Sequence, residues 1–215
     1  MPLVRDFSLR NSLKDLELAI FGSETHLFLF KIFPPGENKL VLEAGCGSGK
    51  FGLGYALAGC EVIMIDIDPE AVNYARKIRG ALNSLTGFPL PTQIKVGNIH
   101  RMHFSDDHFD LVFNEGVPQH WPDEKRRQGS IDQMVRVSND MVIVVGNNGL
   151  NLKEVDKYKN VEFPYLGMPL KTEFFTPDEL EMRLKKAGLK KIQVEPVTPG
   201  PIENSTLIAG WGRKS

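Results

Sequence analysis

The stretch Val41-Leu42-Glu43-Ala44-Gly45-Cys46-Gly47-Ser48-Gly49-Lys50-Phe51-Gly52 takes a short apolar run into a glycine-rich turn and out into a helix. Residues without a Cβ make positive φ inexpensive at such a turn, and they let a ligand lie against bare backbone. Gly47 to Gly52 reads G-x-G-x-x-G, a weak sign of a dinucleotide when it stands alone. A P-loop is excluded, because Ala44 and Phe51 stand where that motif needs a glycine and a hydroxyl residue.

Downstream, short apolar runs alternate with helical patterns. Lys39–Glu43, Glu61–Asp66, Gln93–Val96, Phe109–Phe113 and Met141–Val145 are predicted strands; 50–58, 69–85 and 123–137 are predicted helices. This alternation predicts an α/β fold with a parallel sheet and right-handed crossovers. Thr176-Pro177-Asp178-Glu179 opens a further helix with a capping box, and Gly188 closes it. Strands 191–195 and 206–211 are joined by the Pro/Gly-rich segment 196–201, which has no room for a crossover helix, so the last strand is expected to run antiparallel.

Two segments lie outside that rhythm. Between Ser12 and Phe33 apolar residues recur at helical spacing, broken at Gly22-Ser23, which predicts two short helices outside the sheet, an N-terminal helical cap over 12–33. Asn147 to Phe175 mixes Tyr158, Phe163, Tyr165, Phe174 and Phe175 with Gly, Pro and Lys, a long irregular connection. It reads either as a lid over a binding crevice or as a loop whose aromatics fill the core beneath it.

Asp66 ends the second strand about 20 residues after the glycine turn, the spacing at which a strand-end carboxylate meets ribose hydroxyls. Asp68, beside Pro69, is better suited to capping the next helix. With Glu43 two residues before the first glycine, and Ile65-Asp66-Ile67-Asp68-Pro69-Glu70 following, the chain resembles motifs I and II of the class I (Rossmann-like, type 11-like) S-adenosylmethionine-dependent methyltransferases. The resemblance extends over most of residues 39 to 212, through Val96-Gly97-Asn98-Ile99, the approach Phe104 to Phe113, and Phe174 to Leu189. It implies one methyltransferase domain over 1–215, with a seven-stranded, mostly parallel sheet in the order 3-2-1-4-5-7-6. It also implies S-adenosylmethionine contacts at Glu43, Gly45, Cys46, Gly47, Gly49, Asp66, Ile67, Asn98, Ile99 and Asn114. Asn98 departs from the family's usual Asp, although an amide oxygen still accepts a hydrogen bond.

In a sheet of this kind the crevice opens where strand order reverses, which places Asn114 to Trp121 beside the cofactor. His120 is the candidate general base, since its ordinary pKa is near neutrality, or else a capping residue; Glu115 and Asn114 are placed to orient substrate or cofactor. His100, His103 and His108 have no Cys or compact acid set in ligand spacing, so no metal is expected. Trp121 and Trp211 read as packing residues.

The 215 residues carry 26 basic and 27 acidic side chains, for a net charge of −1, and Lys125-Arg126-Arg127 is the densest basic cluster. A nucleic-acid partner is therefore disfavoured and a small-molecule acceptor expected. Two cysteines are too few for a disulfide framework, and no early apolar stretch spans a bilayer, so a cytoplasmic, membrane-free setting is expected. The competing readings are methylation of protein or RNA, a non-catalytic module that binds S-adenosylmethionine, and a nicotinamide oxidoreductase, the last opposed by Glu43.

Overall fold

The computed structural model describes residues 23–121, 123–165 and 168–214. The sheet is built from β1 (Leu40–Ala44), β2 (Glu61–Asp66), β3 (Thr92–Val96), β4 (Phe109–Glu115) and β5 (Ser138–Asn147), all parallel to one another. β8 (Lys190–Pro196) and β9 (Leu207–Arg213) complete it, with β9 antiparallel to both β5 and β8. The spatial order is β3-β2-β1-β4-β5-β9-β8, which is 3-2-1-4-5-7-6 when only the strands of this sheet are counted. Met141–Val145 is buried throughout, as a strand covered on both faces must be.

Helices α2 (Lys50–Leu57) and α3 (Pro69–Thr86) pack on one face, α4 (Glu124–Val137) and α6 (Pro177–Lys186) on the other. Their starts follow local chemistry. The Asp68 side chain accepts from the Glu70 amide, Asp123 from that of Arg126, and Thr176 from that of Glu179. Each such cap contributes about 1 kcal/mol and sets where the chain turns into the helix.

The N-terminal region contributes one described helix. The first expected helix lies outside the described residues; the second, α1 (Glu24–Ile32), belongs to a helical layer of the fold. Phe28 meets Trp211 edge-on at 5.5 Å, and the Tyr55 hydroxyl donates to the carbonyls of Leu29 and Phe33, both at 3.1 Å. The reason is topological. The crossovers from β4 to β5 and from β5 to β8 both place their helices on the far face, so the apolar surface beside α2 is left for α1 to cover.

The 147–175 connection is more regular than its sequence pattern predicts. It contains α5 (Leu152–Tyr158) and a hairpin of β6 (Glu162–Tyr165) and β7 (Met168–Lys171). α5 buries no residue, so its apolar side chains do not fix its place. Polar side chains hold it in place: Asn151 caps it by accepting from the Glu154 amide, and Asn148 Nδ2 donates to the carbonyls of Ile202 and Ser205. The connection's two ends are tied by Phe175, whose amide donates to the Asn147 carbonyl and whose carbonyl accepts from Gly149.

α1 also buries an imidazole. His26 is 1% exposed, with its ring 4.7 Å from that of Phe51, and Gly54 leaves it the space that a Cβ would take. Burial, with the Lys50 charge, lowers its pKa from 6.5 to about 4. The unfolded state therefore binds more protons between those values, and stability is lost as pH falls from 6.5 towards 4. That loss is expected to reach on the order of 3 kcal/mol. Urea unfolding at pH 7, 5.5 and 4.5 should show a shallower decline for His26→Asn than for the parent, and equal slopes would contradict this account.

Candidate functional site

The turn after β1 is held from below by the end of β2. The amides of Gly45 and Cys46 both donate to the Ile65 carbonyl, at 2.8 and 2.9 Å, and the Gly47 amide donates to Asp66 Oδ2 at 2.8 Å. The three glycines of the turn have positive φ for different ends. At Gly45 (φ +85°) a Cβ would come within 2.3 Å of Val117, so this glycine lets the post-β4 turn close on the loop. At Gly47 (φ +51°) nothing stands within 4 Å of that position, so its backbone faces open space. Gly49 (φ +73°) starts α2 in a left-handed conformation with no side-chain cap. Cys46 sits within the turn, its thiol pushed up by burial and by the neighbouring Glu43 and Asp66 charges, which makes it a poor nucleophile.

Glu43 is 2% exposed and accepts from the Gly52 amide at 2.9 Å. A Cβ at Gly52 would lie 2.6 Å from Glu43 Oε2, so the fourth glycine of the run makes room for this carboxylate. Burial pushes the Glu43 carboxyl well above the usual range; Gly52 opposes the shift, and Glu115 and Asp66 add to it. Asp66 also accepts from the Asp68 amide at 2.9 Å through its other oxygen. Each acid of the two motifs thus helps to shape the turn itself.

At the end of β3, the Gly97 amide donates to the Asp66 carbonyl at 2.8 Å, which brings Asn98 and the buried Ile99 alongside the loop. Asn98 Oδ1 accepts from the His100 amide at 2.8 Å and retains a second lone pair. Asn98, His100, Trp121, Asp123, Lys125 and Arg126 line a cleft of about 620 Å³. Trp121 is therefore a cleft wall, with His100 edge-on to it at 4.6 Å, whereas Trp211 is a core residue.

The end of β4 supplies the other wall. Asn114 is fully buried; its Nδ2 reaches Met134 Sδ at 3.2 Å and its Oδ1 has no partner among the described residues. His120 ends a single 3₁₀ turn, Pro118–His120, and is not at the start of a helix. Gln119 Oε1 is likewise buried without a partner among the described residues, and the His120 imidazole lies against the backbone of Gly116 and Lys171. Burial raises the Glu115 carboxyl against the pull of Lys50, and burial lowers the His120 imidazole below 6.5. Leaving such atoms unpaired costs about 1–3 kcal/mol each.

Glu43, Asp66, Glu115 and the glycine turn therefore meet at one end of the sheet, with Asn98 and Ile99 on one side and Asn114 and His120 on the other. Bare backbone at Gly47, strand-end acids and an adjacent cleft suit a nucleoside-bearing ligand. Among the described residues no three His, Cys, Asp or Glu side chains group as metal ligands, and no helix is long and apolar enough to cross a membrane. Sequence reasoning missed Gly52, Gln119 and Lys50. Lys50 had a legible signal in its position directly after the last loop glycine, while Gln119 had none.

Residues 41–140 match the family described as a methyltransferase domain. No curated protein matches the chain. An S-adenosylmethionine-dependent methyltransferase from Methanosarcina mazei shares 24% identity and covers 83% of this chain and 93% of its own, with a TM-score of 0.67. Magnesium protoporphyrin IX methyltransferase from Synechocystis, with bound S-adenosylhomocysteine, shares 17%, with coverages of 96% and 89% and a TM-score of 0.65. A possible histamine N-methyltransferase from Thermotoga maritima shares 15%, with coverages of 93% and 92% and a TM-score of 0.65. At these identities the structural likenesses establish the fold.

The contrast between Gly47 and Gly45 generates a prediction. A Cβ at Gly47 meets nothing within 4 Å, so Gly47→Val is expected to cost mainly the positive-φ penalty, about 1–2 kcal/mol, while S-adenosylhomocysteine affinity falls tenfold or more. Calorimetric titration alongside a thermal melt checks both, and unchanged affinity would mean that the ligand does not lie over Gly47.

Proposed function

Residues 41–140 match the methyltransferase-domain family, and on that premise we propose that the chain is a class I, S-adenosylmethionine-dependent methyltransferase whose acceptor is a small molecule bound beside His120. The carrying observation is the pair of buried polar atoms without partners among the described residues at and beyond the end of β4, Asn114 Oδ1 and Gln119 Oε1, next to the His120 imidazole. They are buried, so an acceptor that uses them must enter the crevice rather than dock on its rim. A net charge of −1 supplies no field to gather a polyanion. Two of the similar structures, by their names, act on a porphyrin and possibly on histamine, and both are small acceptors.

Glu43, Gly45, Cys46, Gly47, Gly49, Asp66, Ile67, Asn98, Ile99 and Asn114 would hold S-adenosylmethionine, which when bound supplies an electrophilic methyl group. The chain's task is then alignment and proton management. Asn114 and Gln119 offer carbonyl oxygens that orient an acceptor through its own donors. Glu115 stands next to them as a second orienting group. His120, held neutral at pH 7 by burial, accepts the proton that a hydroxyl or protonated amine must shed. The backbone of Lys171, at the foot of the β6–β7 hairpin, lies against His120, so the 147–175 insert forms the outer wall of this site and acts as its lid.

Two measurements test the reading. Methyl-labelled S-adenosylmethionine incubated with a fractionated cell extract should label the small-molecule fraction, and label confined to protein or RNA would overturn it. With the acceptor in hand, His120→Ala should lower kcat by about 10²–10⁴-fold. The parent's rate should fall as pH drops through an ionisation below 6.5, and the variant should lack that limb. Full activity in His120→Ala would remove this imidazole from the chemistry.

A further inference from the structure

The segment that leaves β4 carries Gln119 and His120 along the crevice wall, and it is pinned at both ends. At its start the Gly116 amide donates to the Val145 carbonyl of β5 at 2.9 Å. At its far end the Trp121 carbonyl accepts from Arg127 Nε of α4, also at 2.9 Å. Between these pins the backbone bonds are local: the His120 amide donates to Val117 and that of Trp121 to Pro118. They shape the 3₁₀ turn without joining it to another element.

Arg127 is itself held from α6. Its Nη1 lies 3.6 Å from Glu179 Oε1, and the same oxygen accepts from Arg183 Nε and Nη2 at 3.0 and 2.8 Å. Arg183 is buried, and Gln128 Nε2 of α4 donates to its carbonyl at 3.1 Å. Glu179 is fixed in turn where its amide donates to Thr176 Oγ1. One carboxylate thus anchors two guanidiniums between α4 and α6, and the Arg127 side chain is only 13% exposed. Exposed ion pairs contribute little, but a planar guanidinium enclosed between two acceptors fixes direction. With Nη1 turned to Glu179, Nε faces the Trp121 carbonyl, so the far end of the turn takes its place from α6.

We propose that Arg127 is a positioning residue for the reaction: Glu179 orients its guanidinium, and its Nε sets Trp121, and with it the adjacent His120, in place at the crevice. It acts through the turn and not on the reacting atoms. Its consequence for turnover rests on His120 being the acceptor-side base, as set out under the proposed function; the placement of the turn does not.

Two substitutions separate the two bonds of Arg127. Lysine has a methylene where arginine has Nε, so Arg127→Lys keeps a cation for Glu179 and removes the donor to Trp121. Glu179→Gln removes the ion pair and keeps that donor. The free protein reports the result by nuclear magnetic resonance. Its two tryptophans give two indole N–H signals, with Trp121 identified by its loss in Trp121→Phe, and His120 is the imidazole signal missing from His120→Ala. In Arg127→Lys the Trp121 indole should shift while that of Trp211 stays, and the His120 midpoint, held below 6.5 by burial, should rise towards 6.5. Glu179→Gln should move both signals the same way by a smaller amount. Thermal melts verify that the variants fold. Labelling of the small-molecule fraction from methyl-labelled S-adenosylmethionine should slow at least tenfold in Arg127→Lys. A lowered melting temperature with unchanged Trp121 and His120 signals would overturn the proposal and leave Arg127 as a helix-packing residue. Shifted signals with an unchanged labelling rate, where His120→Ala does slow transfer, would overturn it as well. If the parent labels no small molecule, the acceptor reading falls, and the two signals still decide whether Arg127 places the turn.

Discussion

The Gly47 amide donating to Asp66 Oδ2 is the bond on which the site depends, because it ties the turn after β1 to the end of β2. Around it the Ile65 carbonyl takes two more amides of the same turn, and the Asp66 carbonyl takes the amide of Gly97 beyond β3. Three strand ends are thereby joined through two consecutive residues. A glycine-rich turn has the most backbone entropy to lose on ordering, so it needs this many fixed acceptors to hold one shape. Once it is held, α2 starts in a set direction, Glu43 can be enclosed against Gly52, and the post-β4 turn closes on Gly45 through Val117.

The charge content of the crevice follows from the same arrangement. Glu43, Asp66 and Glu115 converge there with Lys50 as the nearby cation, and burial opposes charge on Glu43, Glu115 and Lys50 alike. A ligand carrying positive charge relieves that cost, whereas one bringing a pyrophosphate adds negative charge to carboxylates already short of solvent. A glycine turn at a helix start is by itself an anion site, and here the neighbouring acids reverse its preference. This distinguishes the chain physically from a nicotinamide-binding fold that shares its strand–turn–helix outline.

What was legible in the sequence was local. The Asp68-Pro69 and Thr176-Pro177 starts, the two-sided apolar run Met141–Val145 and the crossover-free link before β9 each leave a mark within a few residues, and strand order followed from a motif resemblance. What was not legible depended on surfaces meeting from afar. α1 joins the helical layer because crossover handedness leaves bare sheet beside α2, a fact no window of α1 contains. α5 is held by Asn148 and Asn151 and buries none of its own side chains, so its place depends on polar contacts with residues some fifty positions away. The commitment of Glu43 to Gly52 was hidden for the same reason, since the glycine reads as one more loop residue until the helix turns it towards the acid.

The central claim is that this turn, with its carboxylates, is built for an adenosyl ligand carrying an amino-acid end and not for a dinucleotide. Isothermal titration of the intact protein with S-adenosylhomocysteine and with NAD under identical conditions tests it most directly. The account predicts one molecule of S-adenosylhomocysteine bound per chain and no measurable heat from NAD. Saturable NAD binding with no response to S-adenosylhomocysteine would contradict it.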